Sequence, residues 1–138
     1  MQVQPYLNFD GRCEEALEFY RGALGAEVTA LIRFKDHPAP PGENCAIPPG
    51  AENKVMHSSF RIGTTTVMAS DCHSGGHPSF QGFSLSLTAP DADVARRLFA
   101  ALADDGEVKM PLAATFFSPS FGVVAYRFGV SWMIYVCP

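Results

Sequence analysis

Three polar side chains, His57, Ser59 and Arg61, occupy alternate positions in the segment KVMHSSFRI. Because side chains of a β-strand alternate between its two faces, all three would lie on one face. A histidine near an arginine can bind an anionic or enol-bearing ligand, and the imidazole can act as an acid or a base near neutral pH. Two other interpretations stay open: a polar face exposed to solvent, and a strand that pairs with a partner subunit.

Arginine recurs in the second half of the chain, where Arg127 follows Tyr126 as Arg61 follows Phe60. The two arginines can alternatively close ion pairs between the two halves, with Asp71 as a candidate partner. We favour this structural role for the pair, and keep Arg61 among the candidate ligand-binding residues.

The densest group of metal-ligand side chains is Asp71, Cys72, His73 and His77. These residues lie in one short loop rich in serine and glycine, and no matching ligand set occurs elsewhere in the sequence. A metal site usually draws converging ligands from several elements. We therefore interpret this loop as a solvated linker.

Aromatic residues are frequent in the second half: Phe116, Phe117, Phe121, Tyr126 and Trp132. In a concave sheet such residues supply the flat walls of a small-molecule pocket, although aromatic residues more often belong to a core. We take Phe117, Tyr126 and Trp132 as candidate ligand-binding residues.

Composition limits the class of protein. At 138 residues the chain has the length of one domain, and its net charge of −4 disfavours nucleic-acid binding. The apolar runs are too short for a membrane helix, and no secretory signal is evident. Four cysteines without a Cys-x-x-Cys pair indicate reduced thiols, so we expect a soluble, cytoplasmic protein. Neither a Gly-x-Gly-x-x-Gly nor a Gly-x-Ser-x-Gly motif is present.

Periodicity predicts the elements that position these side chains. Residues 3–9 alternate as a strand, residues 13–24 have helical spacing closed by Gly25, and residues 27–34 form a second strand. The proline-rich stretch 35–53 is a long connection that is either a lid or a mobile surface loop. A second helix follows the candidate caps Thr88 and Asp91, ends at Gly106 and is predicted to bury Val94, Leu98, Ala101 and Leu102.

An internal repeat organises the chain. FRIGTTTVMASD at residues 60–71 overlays YRFGVSWMIYVC at 126–137, and LGAEV at 24–28 is echoed by DDGEV at 104–108. The repeat unit is strand, helix, strand, strand, strand. We predict one α+β domain, residues 1–138, built from module one at about 1–72, a linker at about 73–81 and module two at about 82–138. Their curved mixed sheets are expected to enclose a cleft.

With this repeat the chain resembles the vicinal oxygen chelate superfamily of glyoxalase I, bleomycin-resistance proteins and extradiol dioxygenases. The closer likeness is to its PhnB-like branch, often labelled 3-demethylubiquinone-9 3-methyltransferase. The matching words are FDGRCEEALEFYRGALGAEV, ENC, VMHSSFRI, VMASD, VKMPLAATFF and FGVSWMIYV. The resemblance implies the two-module fold and a homodimer.

The resemblance also implies four metal-ligand positions, one on the first and fourth strand of each module. They correspond to Pro5, Val67, Phe83 and Met133, or one residue further to Tyr6, Met68, Ser84 and Ile134. None of the eight is a good ligand for a hard or borderline cation. We therefore expect no metal and no cofactor, and the methyltransferase label has no supporting cofactor motif.

Three functions stay open. The first is a metal-free homodimer that binds a small, partly apolar molecule in the cleft. The second is an enzyme of the lyase, isomerase or dioxygenase type, with a nonstandard ion near His57 or with acid and base groups alone. The third is a structural or regulatory partner whose cleft is filled by its own side chains. No nucleic-acid or membrane partner is expected.

Overall fold

The structure is a computed structural model that describes residues 1–36, 50, 52–71 and 79–138. It divides into two compact units, residues 1–78 and 79–138. The described elements of the first are β1 Tyr6–Asn8, α1 Cys13–Leu24, β2 Glu27–Arg33, a 3-10 turn Phe34–Asp36, β3 Val55–Ile62 and β4 Thr65–Ser70. Those of the second are β5 Leu85–Ala89, α2 Ala92–Ala103, β6 Glu107–Ala113, β7 Phe121–Ala125 and β8 Ser131–Val136.

Both units have the same sheet topology. The first sheet has the strand order β1-β4-β3-β2 and the second the order β5-β8-β7-β6. In each sheet the first strand of the unit pairs in parallel with the last, and the other pairs are antiparallel. The predicted α+β fold of two strand-helix-strand-strand-strand units is thereby confirmed.

Helix α1 follows the prediction from its spacing. Its apolar stripe buries Ala16, Leu17 and Tyr20, and the Tyr20 ring stacks on Phe60 of β3 with 5.7 Å between ring centroids. Gly25 ends the helix in the left-handed conformation at φ 67°, which glycine adopts without a Cβ clash. The stripe therefore fixes α1 on one face of the first sheet.

The amino end of α1 is held by a carboxylate from the far end of the unit. Asp71, which directly follows β4, accepts hydrogen bonds from the backbone N–H groups of Gly11 at 2.6 Å and Cys13 at 2.9 Å. Its second carboxylate oxygen accepts from the N–H of Val55, the first residue of β3, at 3.0 Å. The Asp71 side chain is buried, so these bonds replace the water that it loses on folding.

Helix α2 is capped locally, because the Asp91 carboxylate accepts from the N–H of Val94 at 2.8 Å. Its buried residues are Ala95, Leu98, Phe99 and Leu102. The predicted burial of Leu98 and Leu102 is confirmed, but Val94 and Ala101 are only half-buried and that part of the prediction was wrong. The stripe is rotated because Phe99 packs against Gly122 of β7, where a Cβ would stand 2.8 Å from the ring.

The repeat is less regular in structure than in sequence. Phe60 to Ile62 belong to β3, and a two-residue turn leads directly to Thr65 of β4. Tyr126 to Phe128, which overlay them in sequence, lie beyond β7 in a longer turn in which the Tyr126 N–H bonds to the carbonyl of Val130 at 2.8 Å. The turn of the second hairpin is therefore longer than the sequence overlay predicts.

Some predictions concern residues outside those that the structure describes. They include residues 37–49 and 51 of the proline-rich stretch and residues 72–78, which contain Cys72, His73 and His77 of the proposed linker. Among the described helices, none is long and apolar enough to cross a bilayer.

We predict that Asp71→Asn lowers the free energy of unfolding by about 2–4 kcal/mol, because an amide NH2 would face at least one buried backbone N–H. Asp91→Asn is the matched control and should change it by less than about 0.5 kcal/mol, since asparagine caps a helix as well as aspartate does. Urea unfolding followed by circular dichroism measures both values. Equal losses in the two variants would contradict the proposed role of Asp71.

Candidate functional site

The three polar residues predicted on β3 share one face of the first sheet, the face opposite α1. Between them, Ser58 contacts Cys13 of α1 and Phe60 stacks on Tyr20, so these two side chains point toward the helix. The alternating residues point away from it. We call this surface the polar face and define it by Tyr6, His57, Ser59, Arg61 and Met68.

Met68 lies at the centre of the polar face because β4 is the strand between β1 and β3. Its backbone is in register with Tyr6 on one side and with Ser59 on the other. The thioether thus adds a soft, apolar group between polar neighbours.

A hydrogen bond links Tyr6 of β1 to His57 of β3, although β4 lies between these two strands. The Tyr6 hydroxyl lies 3.1 Å from His57 Nδ1, and the two rings are tilted by 35° with 5.7 Å between centroids. Tyr6 is 44% exposed, so this pair is accessible from solvent. Tyr6 was not among the sequence candidates for ligand binding, although its alternation with the buried Leu7 placed it on the opposite face of that strand.

Ser59 is held by a hydroxyl from the neighbouring strand. Thr29 and Ser59 place their side-chain oxygens 2.7 Å apart, and the Thr29 hydroxyl also donates to the Ser59 carbonyl at 3.2 Å. A register shift between Val28 and Ala30 turns Thr29 toward Ser59. The serine hydroxyl therefore has a fixed direction on the polar face.

The two arginines form ion pairs within their own units. Arg61 donates to Glu27 at 2.5 Å on the adjacent strand, and Arg127 donates to Asp104 at 3.4 Å. Asp71, predicted as a partner, instead accepts only backbone hydrogen bonds among its described contacts, so that prediction was wrong. The Arg61 side chain is 49% exposed, and an ion pair this exposed contributes little to stability.

In the second unit Phe117 belongs to an aromatic cluster. Its ring meets Phe121 edge-on with 5.1 Å between centroids and stacks on Tyr135 at 6.4 Å. Phe121 and Tyr135 are paired residues of β7 and β8. The Thr115 hydroxyl accepts from the N–H groups of Phe117 and Ser118 at 3.3 and 3.1 Å, which fixes the loop that carries the ring.

The other two aromatic candidates are buried. Trp132 is 3% exposed and shares a strand face with Ile134, which is in register with Gly122 against Phe99 of α2. Trp132 therefore faces α2, whereas Tyr135 and Phe117 lie on the opposite face. Tyr126 lies in the turn after β7, where its ring meets Phe128 edge-on at 5.1 Å. Their assignment to ligand binding stays a prediction.

The positions at which the resemblance implies metal ligands carry unsuitable side chains. Tyr6 pairs with Met68 in the first sheet, and in the second Met133 pairs with Ser86. Ser84 and Ser131 share a hydrogen bond at 2.7 Å. Neither a thioether nor an alcohol competes with carboxylate or imidazole for a divalent ion. Across the described residues, no three or more His, Cys, Asp or Glu side chains are grouped so as to hold a metal.

A separate cavity of about 560 Å³ lies beside the start of α1 and includes Glu14, Glu15, Glu18, Lys54 and Asp71 in its wall. Its helical carboxylates are already paired, each with one of the arginines Arg33, Arg12 and Arg21. The hydrogen bonds from Arg33 lower the pKa of Glu14. The cavity therefore offers neutralised carboxylates rather than a cation site.

Cys13 is the buried free thiol of the described chain, 3.7 Å from the Ser58 hydroxyl. Burial raises the pKa of Cys13 to about 12, with neighbouring carboxylates adding to the shift. Because the thiolate is the reactive form of cysteine, Cys13 is a poor candidate for a nucleophile.

The sheet order defines the class of protein as a duplicated βαβββ fold. Residues 2–134 match the Glyoxalase/Bleomycin resistance protein/Dioxygenase superfamily. The chain belongs to this family. The resemblance proposed from the sequence is thus confirmed.

Several relatives cover nearly the whole chain. Protein YjdN of Escherichia coli strain K12 is 36% identical, over 99% of this chain and 95% of YjdN. Protein PA1353 of Pseudomonas aeruginosa is 39% identical with a TM-score of 0.85, covering 99% of this chain and 97% of PA1353. The Bacillus cereus PhnB protein, named as a candidate 3-demethylubiquinone-9 3-methyltransferase, is 27% identical with a TM-score of 0.81, covering 99% of this chain and all of its own length, 100%.

We predict that iodoacetamide at about pH 8 alkylates Cys137 in the native protein and leaves Cys13 unmodified, because Cys137 is exposed and Cys13 remains a buried thiol. Peptide mass mapping distinguishes the two sites. Cys13 should react once urea unfolds the chain. Equal alkylation of both thiols in the native protein would contradict this assignment.

We predict that Phe117→Ala lowers the free energy of unfolding by about 1–2 kcal/mol, because it removes three aromatic contacts, with Phe116, Phe121 and Tyr135. Phe116→Ala is the control and should cost no more than about 0.5 kcal/mol, because it removes only the edge-on contact with Phe117 and its ring is fully exposed at 100%. Thermal and urea unfolding measure both. If the two variants lose the same stability, Phe117 is not packed as described.

Proposed function

We propose that this protein binds a small, partly apolar molecule with an anionic or polar oxygen, without a metal ion, and that the polar face is its binding surface. The observation that carries the proposal is the alignment of His57, Ser59 and Arg61 on the side of the sheet that α1 does not cover. The helix side of the same strands carries the core. Exposed polar side chains of this kind contribute little to the free energy of unfolding, so their hydrogen-bonding groups are available to a ligand.

The side chains of the polar face suit such a ligand. The guanidinium of Arg61 has five N–H donors, of which the Glu27 contact uses one. The imidazole of His57 adds a directional hydrogen bond, and the Ser59 hydroxyl, whose proton is directed to Thr29, can accept one from a hydroxyl of the ligand. Met68 and the ring of Tyr6 offer apolar area beside these donors, as binding sites for small molecules typically do.

The aromatic cluster around Phe117 is a second apolar surface, in the other unit. Its half-exposed ring, with edges of Phe121 and Tyr135 beside it, is a flat apolar contact of the kind that ligands use. Phe117 therefore remains a proposed ligand-binding residue and is tested by its own variant.

The first test is binding of 8-anilinonaphthalene-1-sulfonate, an aromatic sulfonate dye, to the folded protein. We expect saturable binding and an affinity up to about fivefold weaker for Arg61→Gln, because an exposed ion pair is worth up to about 1 kcal/mol. Arg127→Gln is the matched control, since it makes the same charge change outside the polar face. Phe117→Ala is measured with the same dye.

Absence of saturable dye binding would overturn the proposal, and equal losses in the two arginine variants would remove the polar face from it. The metal content of protein purified without added ions separates the two main functions. We expect substoichiometric metal. Stoichiometric bound metal, or turnover that chelators abolish, would instead support an enzyme of the lyase, isomerase or dioxygenase type. Homodimer formation and a cytoplasmic location stay predictions from the sequence.

A further inference from the structure

We propose that Tyr6 is a positioning residue that fixes the imidazole of His57 as an Nε2–H donor, aimed at an anionic or carbonyl oxygen of the ligand. The inference rests on the proposed function and names the group that the polar face would recognise. It adds Tyr6, which was not among the ligand-binding residues predicted from the sequence, to the site. Its basis is the hydrogen bond of 3.1 Å between the Tyr6 hydroxyl and His57 Nδ1.

The direction of this hydrogen bond follows from the chemistry of the two groups. A neutral imidazole has one N–H donor and one acceptor nitrogen, and the nitrogen is a much better acceptor than a phenol oxygen. A phenol is in turn the better acid of the two neutral groups. The pair is therefore most stable when the Tyr6 hydroxyl donates to Nδ1, which leaves the proton of the imidazole on Nε2.

The strand order makes this arrangement possible. Tyr6 is on β1 and His57 on β3, with Met68 of the intervening β4 in register with Tyr6. The phenol therefore reaches across the Met68 strand to the histidine ring, and their tilt of 35° brings the hydroxyl to Nδ1. With Nδ1 occupied, Nε2 is the ring nitrogen left for a ligand.

The hydrogen-bond donors of the polar face favour the same kind of ligand atom, a hydrogen-bond acceptor. Nε2–H of His57 and the guanidinium of Arg61 both donate hydrogen bonds and bind an acceptor, and the two residues are four positions apart on one strand face, with Ser59 between them. The carboxylate of Glu27 holds Arg61 at one edge. A carboxylate, an enolate or a polarised carbonyl on a small apolar body meets these donors, whereas an ammonium group meets none.

The direct test is the tautomer of His57, read from long-range ¹H–¹⁵N correlations of the uniformly ¹⁵N-labelled full chain. The chain has four histidines, and His57→Ala identifies the signals of this ring. Spectra are recorded on the alkaline plateau of the titration of the ring itself. We expect a protonated Nε2 and a bare Nδ1, and in Tyr6→Phe a mixture of both tautomers.

Tyr135→Phe is the matched control, because it removes a phenol hydroxyl from the second unit. It should leave the His57 tautomer unchanged. A protonated Nδ1 in the native protein, or a Tyr6→Phe spectrum identical to that of the native protein, would overturn the inference even where the dye binds. A merely structural role of Tyr6 would not change the tautomer.

The ligand class is tested with benzoate and benzylammonium on the same labelled protein. Benzoate should shift the Nε2–H signal, and its affinity should fall about fivefold in Tyr6→Phe, the equivalent of one hydrogen bond of about 1 kcal/mol. Benzylammonium should cause no shift. If the tautomer is as proposed but neither benzoate nor the dye binds, the proposed function is wrong. The assignment of a ligand class to His57 is then also wrong, whereas the role of Tyr6 in fixing the tautomer stands.

Discussion

The first unit depends on one buried carboxylate. Asp71 binds the N–H groups of Gly11 and Cys13 before and at the start of α1, and that of Val55 at the start of β3. These segments are far apart in sequence, and the single carboxylate joins them. Charge-assisted bonds to a buried carboxylate are among the stronger polar contacts in proteins. By fixing where β3 begins, Asp71 also helps to determine which side chains of β3 face away from α1.

The two units share a topology but not the same chemistry. The second unit caps its helix with the neighbouring residue Asp91, and its last hairpin has a longer turn. Its helix packs on Gly122, which leaves room for Phe99. Duplicated folds often keep the architecture while the sites on it diverge. Here the first sheet presents donors opposite its helix, and the second presents the Phe117 cluster opposite α2.

The structural features that depend on local spacing were predicted from the sequence. The contacts that depend on pairing between strands distant in sequence were not. Helix α1 was predicted to the residue, because its stripe and Gly25 are local signals. The shared face of His57, Ser59 and Arg61 follows from a period of two. The contact of His57 with Tyr6 does not follow from this period, since the two residues are 51 positions apart in sequence and β4 lies between their strands. Trp132 was hard to place because both faces of β8 carry large apolar side chains, so alternation gives no direction.

The nature of the donors determines what the polar face can do. A divalent ion holds an oxygen by charge from many directions, whereas an imidazole N–H and a guanidinium hold it only along their own bonds. Recognition by such a face therefore depends on the orientation of each donor more than on total charge. Ser59 has its direction fixed by Thr29, and Arg61 by Glu27. Without a hydrogen-bond partner, the His57 imidazole would exchange between its two neutral tautomers. The Tyr6 hydroxyl lies 3.1 Å from Nδ1 and is placed to stabilise one of them.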